Sequence, residues 1–217
     1  MRSVSRACIP LFLALSLAAA DPTWATRPIS SWTAEDARQV LAASPWVKRA
    51  RLGILPQRSE DQMREGGKMG GGGKRAGLTG SDNAPPETLW VRWESAATVR
   101  AAEVLAGDTA APEWEGGYYV IAIYDVPGIT PAIQRTLRTE VKQTTSLKRE
   151  GKKDIKPERV EIDLLGGKLA RVVSFFPRSA ALETSEGEIG FLCRIGRFQI
   201  AQQFQLGDMV FQGKPQL

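Results

Sequence analysis

A chain without a single histidine among 217 residues lacks the side chain that most often acts as general base, as partner to a nucleophilic Ser or Cys, and as zinc ligand. The chemistry left to it is narrow. Cys193 falls on the apolar side of a predicted strand with no His to activate it, so it reads as a buried structural thiol. Glu94, Asp125, Glu161 and Asp163 are the acids nearest predicted strand ends or faces, and two of them could form the carboxylate pair of a glycan hydrolase. Glu161 and Asp163 alternate with Val160, Ile162 and Leu164 as the wet side of a sheet does, and spacing singles out no pair. The glycine tract fails as a phosphate loop: Lys68 stands where the first Gly is needed and Arg75 where Ser or Thr is needed. Gly71 to Ala76 satisfies the short dinucleotide pattern, but no predicted strand precedes it. Ser81-Asp82-Asn83 offers one carboxylate and no spaced ligand loop. Neither cofactor nor metal is expected.

Charge gives a more tangible lead. From Arg135 to Arg159 there are nine Lys or Arg against four acids, and Lys148, Arg149, Lys152 and Lys153 crowd around Gly151 at a predicted hairpin tip. Such a patch could meet an anionic polymer or a lipid headgroup. The plainer explanation is a solubilising tip, because Glu150 and Asp154 sit among the cations. Nucleic acid is not expected, since no aromatic platform is interleaved with these charges.

The elements that must position these groups begin after residue 20. Arg2 and Arg6, the apolar run Ile9 to Ala20 broken by Ser16, and Ala18-Ala19-Ala20 before Asp21 have the form of a secretory leader. A cut after Ala25 would also meet small-residue requirements, although it would strand Trp24 between them. The run is too short for a membrane anchor, so no transmembrane span is expected after cleavage, and the exported product should be periplasmic or secreted. Cleavage leaves 197 residues and Cys193 alone, which excludes an internal disulfide. It also leaves 27 basic against 24 acidic residues, a balance of +3 where the whole chain has +5.

Residues 21–56 hold a helix and a first strand, the latter over Trp46–Ile54 with imperfect alternation. Thr33 caps the helix with Asp36 in a variant capping box, Ala37, Val40, Leu41 and Ser44 share one face, and Pro45 stops it. Residues 57–87 are rich in Gly, Pro and charge and are predicted to be a disordered insertion. Residues 88–217, continuous with 30–56, hold the rest: a strand at Leu89–Trp93, a helix over Ala96–Leu105 capped by Ser95, and a buried strand at Tyr118–Tyr124. A helix then starts at Thr130-Pro131 with Ile133, Leu137 and Val141 inward. Strands follow on either side of Gly166-Gly167 and of Gly196, and a last one lies at Met209–Phe211. The fold class predicted is α+β, mainly an antiparallel sheet or sandwich with two or three short helices and the glycine-rich insertion.

Trp32-Thr33 with Asp36, Ser44-Pro45-Trp46-Val47, Val91-Arg92-Trp93-Glu94-Ser95, Phe175-Phe176-Pro177-Arg178 and Leu206-Gly207-Asp208-Met209-Val210-Phe211-Gln212-Gly213-Lys214 resemble a family of small exported bacterial proteins of unknown function. The resemblance spans most of the chain after residue 20 and implies no activity, ligand or site residue. Trp32, Trp46, Trp90 and Trp93 within it are expected to be core. The function expected is non-enzymatic: an envelope-associated binding or structural domain, acting on an anionic envelope component or another exported protein through its sheet or its basic segment. The alternative is a carboxylate-dependent hydrolase of envelope polymers.

Overall fold

The computed structural model describes residues 22–54, 88–114, 116–165 and 169–217. The expected leader, the expected insertion over 57–87 and the Gly166-Gly167 turn lie outside the described residues. Within them the fold is α+β and rich in antiparallel sheet.

Helix α1 (Thr23–Thr26) and a 3₁₀ turn (Ile29–Ser31) lead into α2 (Ala34–Ala42). The Thr33 hydroxyl accepts from the Asp36 amide while the Asp36 carboxylate accepts from the Thr33 amide, which closes the expected capping box. Ala37, Val40, Leu41 and Ser44 are all buried, as the helical period requires.

The single strand expected over Trp46–Ile54 is two. β1 (Val47–Arg51) and β2 (Gly53–Ile54) are separated at Leu52 and join different sheets. This explains the imperfect alternation: the chain changes partner mid-run. Strand β3 (Thr88–Trp93) is followed by α3 (Ala97–Ala106). Ser95 does not cap α3. The N-cap is Ala96 without a side-chain bond, and the Ser95 hydroxyl accepts from the Val120 amide instead. At the other end Gly107, at φ +65°, takes the left-handed conformation that ends a helix.

Strand β4 (Tyr118–Pro127) leads to α4 (Pro131–Thr144), with Pro131 in its first turn as expected. Leu137 and Val141 are buried, but Ile133 is 44% exposed. The first turn of α4 overhangs the sheet, so only the later turns reach the core. Strands β5 (Ser146–Arg149), β6 (Arg159–Leu164), β7 (Leu169–Pro177), β8 (Glu188–Ile195) and β9 (Phe198–Gln205) follow, and β10 (Val210–Phe211) pairs with β11 (Lys214–Pro215).

The larger sheet has the order β1-β3-β4-β7-β6 and the smaller β2-β9-β8-β5, and every pairing in both is antiparallel. Their inner faces meet in one core, where Trp93 stands edge-on to Phe204 and Phe176 to Phe191. At the β6 edge, the Gln134 side chain of α4 donates to the Ile162 carbonyl, which occupies a backbone group that an open edge would leave free. Trp24, Trp32, Trp46 and Phe211 form an aromatic cluster at one end, and the Trp46 indole donates to the Gln216 carbonyl at 2.7 Å.

Candidate functional site

The basic segment is occupied by its own neighbours. Arg149 forms a two-pronged pair with Glu186, at 2.8 and 2.7 Å, with both side chains about nine-tenths buried. That guanidinium is the main reason the Glu186 carboxyl falls to about 2. Lys152 reaches the same Glu186 at 3.2 Å, and Lys148 pairs with Asp154. Of the four sequence candidates, Lys153 alone has no acidic partner among the described residues. Lys156 is engaged too, donating to the carbonyls of Gln143 and Thr145 at the end of α4.

The acids are distributed differently from any pair the sequence suggested. Glu161 and Asp163 lie on the outer face of β6, where Asp163 binds Arg171 at 2.8 Å and Glu161 approaches Arg159 at 3.4 Å. Asp125 sits at a bulge in β4 with φ +62°. Glu94, at the end of β3, is fully buried and faces Glu103 of α3, a residue the sequence analysis did not select. The Tyr124 hydroxyl donates to Glu94 Oε1 at 2.7 Å. Burial, then a hydrogen bond with Glu94 and its charge, raise the Glu103 carboxyl to about 10. Burial likewise raises the Tyr124 phenol. Arg92 stacks 4.4 Å over the Tyr124 ring and binds Asp108 at 2.7 Å. The signal for this cluster was the placement of charge in strongly apolar company: Glu103 falls on the buried side of α3 beside Val99 and Ala102. Cys193 is fully buried, with its thiol raised to about 12 by desolvation, which leaves it a poor nucleophile.

The outer face of the larger sheet carries a second, smaller hydrophobic cluster. Val120, Ala122, Tyr124, Val173 and Phe175 form it, and Trp90, Ala110, Trp114 and Tyr118 pack against it. Arginines stack on the aromatics of this face: Arg49 at 4.5 Å over Trp90, Arg100 at 4.7 Å over Trp114, and Arg159 at 4.0 Å over Phe175. An open depression of about 720 Å³ lies here, lined by Glu113, Trp114, Gly116, Tyr118 and Arg159. Trp90 is therefore not part of the main core, unlike Trp32, Trp46 and Trp93. Residues 108–114 reach this face as a strap held by the Arg92–Asp108 pair and by Arg171, which donates to the Ala110 carbonyl.

A guanidinium lying on a ring keeps its in-plane N–H groups directed outward and loses little freedom when an oxyanion arrives. Among the described residues, Arg49 and Arg100 have no acidic partner, and Arg159 shares its one acid at the long distance of 3.4 Å. No group of three or more His, Cys, Asp or Glu among the described residues is placed to hold a metal ion. No helix of the described residues is long and apolar enough to cross a membrane. Compared with protein-family models, curated proteins and solved structures, the chain matches none of them.

Proposed function

We propose that this chain is an exported, non-enzymatic binding domain of the bacterial envelope. It takes an oxyanion-bearing envelope component on the outer face of its larger sheet rather than on its basic segment. The observation that carries this is the pair of ring-stacked arginines, Arg100 and Arg159, beside the depression at Trp114 and Tyr118. Lys148, Arg149 and Lys152 are engaged by Asp154 and Glu186, so the segment around Gly151 offers less free charge than its composition suggests. Hydrolysis has less support, because the two facing acids, Glu94 and Glu103, are buried and do not line the depression at Trp114. The leader-like residues before Asp21 and the quoted tryptophan and Val91–Ser95 motifs support, in this reading, kinship with the small exported bacterial proteins the chain resembles.

The test is co-sedimentation with vesicles of anionic phospholipid and, separately, binding of soluble polyphosphate, each at rising salt. Binding to one of the two is expected, weakening with salt, and falling about tenfold in Arg100→Gln/Arg159→Gln. Lys152→Gln/Lys153→Gln should bind as the unaltered protein does. Salt-independent behaviour with both probes, or loss of binding in the lysine variant alone, overturns the reading.

A further inference from the structure

We infer that Glu94 and Glu103 share one proton, and that this proton latches the strap carrying the proposed anion site, so that closing the strap takes up a proton from solvent. The geometry comes first. Glu94 and Glu103 are 0% and 5% exposed, and Glu94 Oε2 and Glu103 Oε1 have no other hydrogen-bond partner. Two bare carboxylates cannot satisfy one another. With a proton on Glu103, its O–H donates to Glu94, whose other oxygen already accepts from Tyr124. Each acid then completes the other's bonding, and the orphan oxygens disappear.

The charged and titratable groups facing the pair are Arg92 from β3, Tyr124 from β4 and Asp108 from the strap. The one cation, Arg92, is already bound by Asp108 at 2.7 Å and stands 3.6 Å from Glu103 Oε1. A second negative charge on the pair would have no counter-charge, and burial raises the Glu103 acid accordingly.

The coupling to the strap is direct. The Asp108 amide donates to the Glu103 carbonyl at 2.9 Å, and the Ala110 amide to the Asp108 carboxylate at 3.0 Å. Val104 and Leu105, 82% and 41% exposed, leave only Glu103 and the half-buried Ala106 to anchor the last turn of α3. When that turn frays, Glu103 meets water and becomes an ordinary carboxylic acid that ionises at neutral pH. Closure therefore binds one proton over the range between the two values, about 4.5 and about 10, and its equilibrium shifts about tenfold per pH unit.

The regulatory part rests on the anion site proposed above; the shared proton does not, and it is tested without ligand. Hydrogen exchange of the peptide covering 107–114, corrected for intrinsic rates, should show protection falling about tenfold per pH unit from 6 to 8 in the unaltered protein. In Glu103→Gln, whose amide donates to Glu94 without titrating, protection should be flat. A second measurement needs no variant: the infrared spectrum of the unaltered protein at neutral pH should contain a protonated-carboxyl band. An absent band, or a pH slope unchanged in Glu103→Gln, overturns the latch and leaves the anion-binding result standing on its own.

Discussion

The two faces of the larger sheet are built from the same strands and solve burial in opposite ways. The inner face holds Leu89, Val91, Trp93, Ile121, Ile123, Val172 and Phe176 against the smaller sheet, and every one of them is fully buried. The outer face has no second sheet to meet. It covers Val120, Ala122, Val173 and Phe175 with guanidinium groups, aromatic rings and the strap over residues 108–114. Apolar packing is non-directional but close-packed, so it is sensitive to lost volume, whereas the outer face depends on charges whose partners must be in place. The first should fail by cavity, the second by orphaned charge.

Trp93→Ala tests the inner face and should cost about 3–5 kcal/mol in urea unfolding, because it removes the ring on which Phe204 and Tyr119 rest. Arg92→Met tests the outer face. It keeps the volume but strips Asp108 of its cation, with an expected loss of about 2 kcal/mol and loss of protection in the strap. Acid should then divide the molecule elsewhere. The Asp36 carboxyl is held at about 2, first by the Thr33 amide, and Glu186 at about 2, first by Arg149. Both values lie below those of the unfolded chain, so their stabilisation is complete above about 4.5 and lost as pH falls toward 2. Melting temperature measured from pH 6 to 2 should fall, and Glu186→Gln should flatten part of that fall. Smallest of all, Lys152→Gln/Lys153→Gln should change stability by less than about 0.5 kcal/mol, since both side chains stand at the surface.

The elements that sequence made visible are those whose partners are close along the chain. The capping box at Thr33 and Asp36 needs only four residues, and the hairpin of β8 and β9 needs only alternation and Gly196, so both are as expected. The misplacements all involve a distant partner. Ser95 has the right type for a cap, but its hydroxyl accepts from the Val120 amide instead. Ile133 has the right period but sits where α4 overhangs the sheet. Residues 46–54 look like one strand because nothing local shows the transfer at Leu52 from one sheet to the other. The site was harder still. Local charge density pointed to Lys148, Arg149, Lys152 and Lys153, and Glu186, 37 residues beyond Arg149, is what engages two of them. Glu94 stands among the candidate acids, but the one local sign of Glu103, its partner, is that it falls on the side of α3 that holds Val99 and Ala102.

Trp24 lies 5% exposed against Trp32 and Trp46, and its carbonyl accepts from the Trp32 indole at 3.1 Å. Trp46 in turn holds the Gln216 carbonyl, and Arg178 reaches the Leu217 carbonyl. Residues separated by most of the chain thus close a single knot of indoles. Contacts so distant in sequence form late and slowly, so under the proposed export the knot locks only after the chain has emerged. Under the proposed export the same knot bounds processing: a cut after Ala25 would amputate Trp24 and open the knot, so protein recovered outside the cytoplasm should carry Thr23 and Trp24 at its amino end, as its intact mass will reveal.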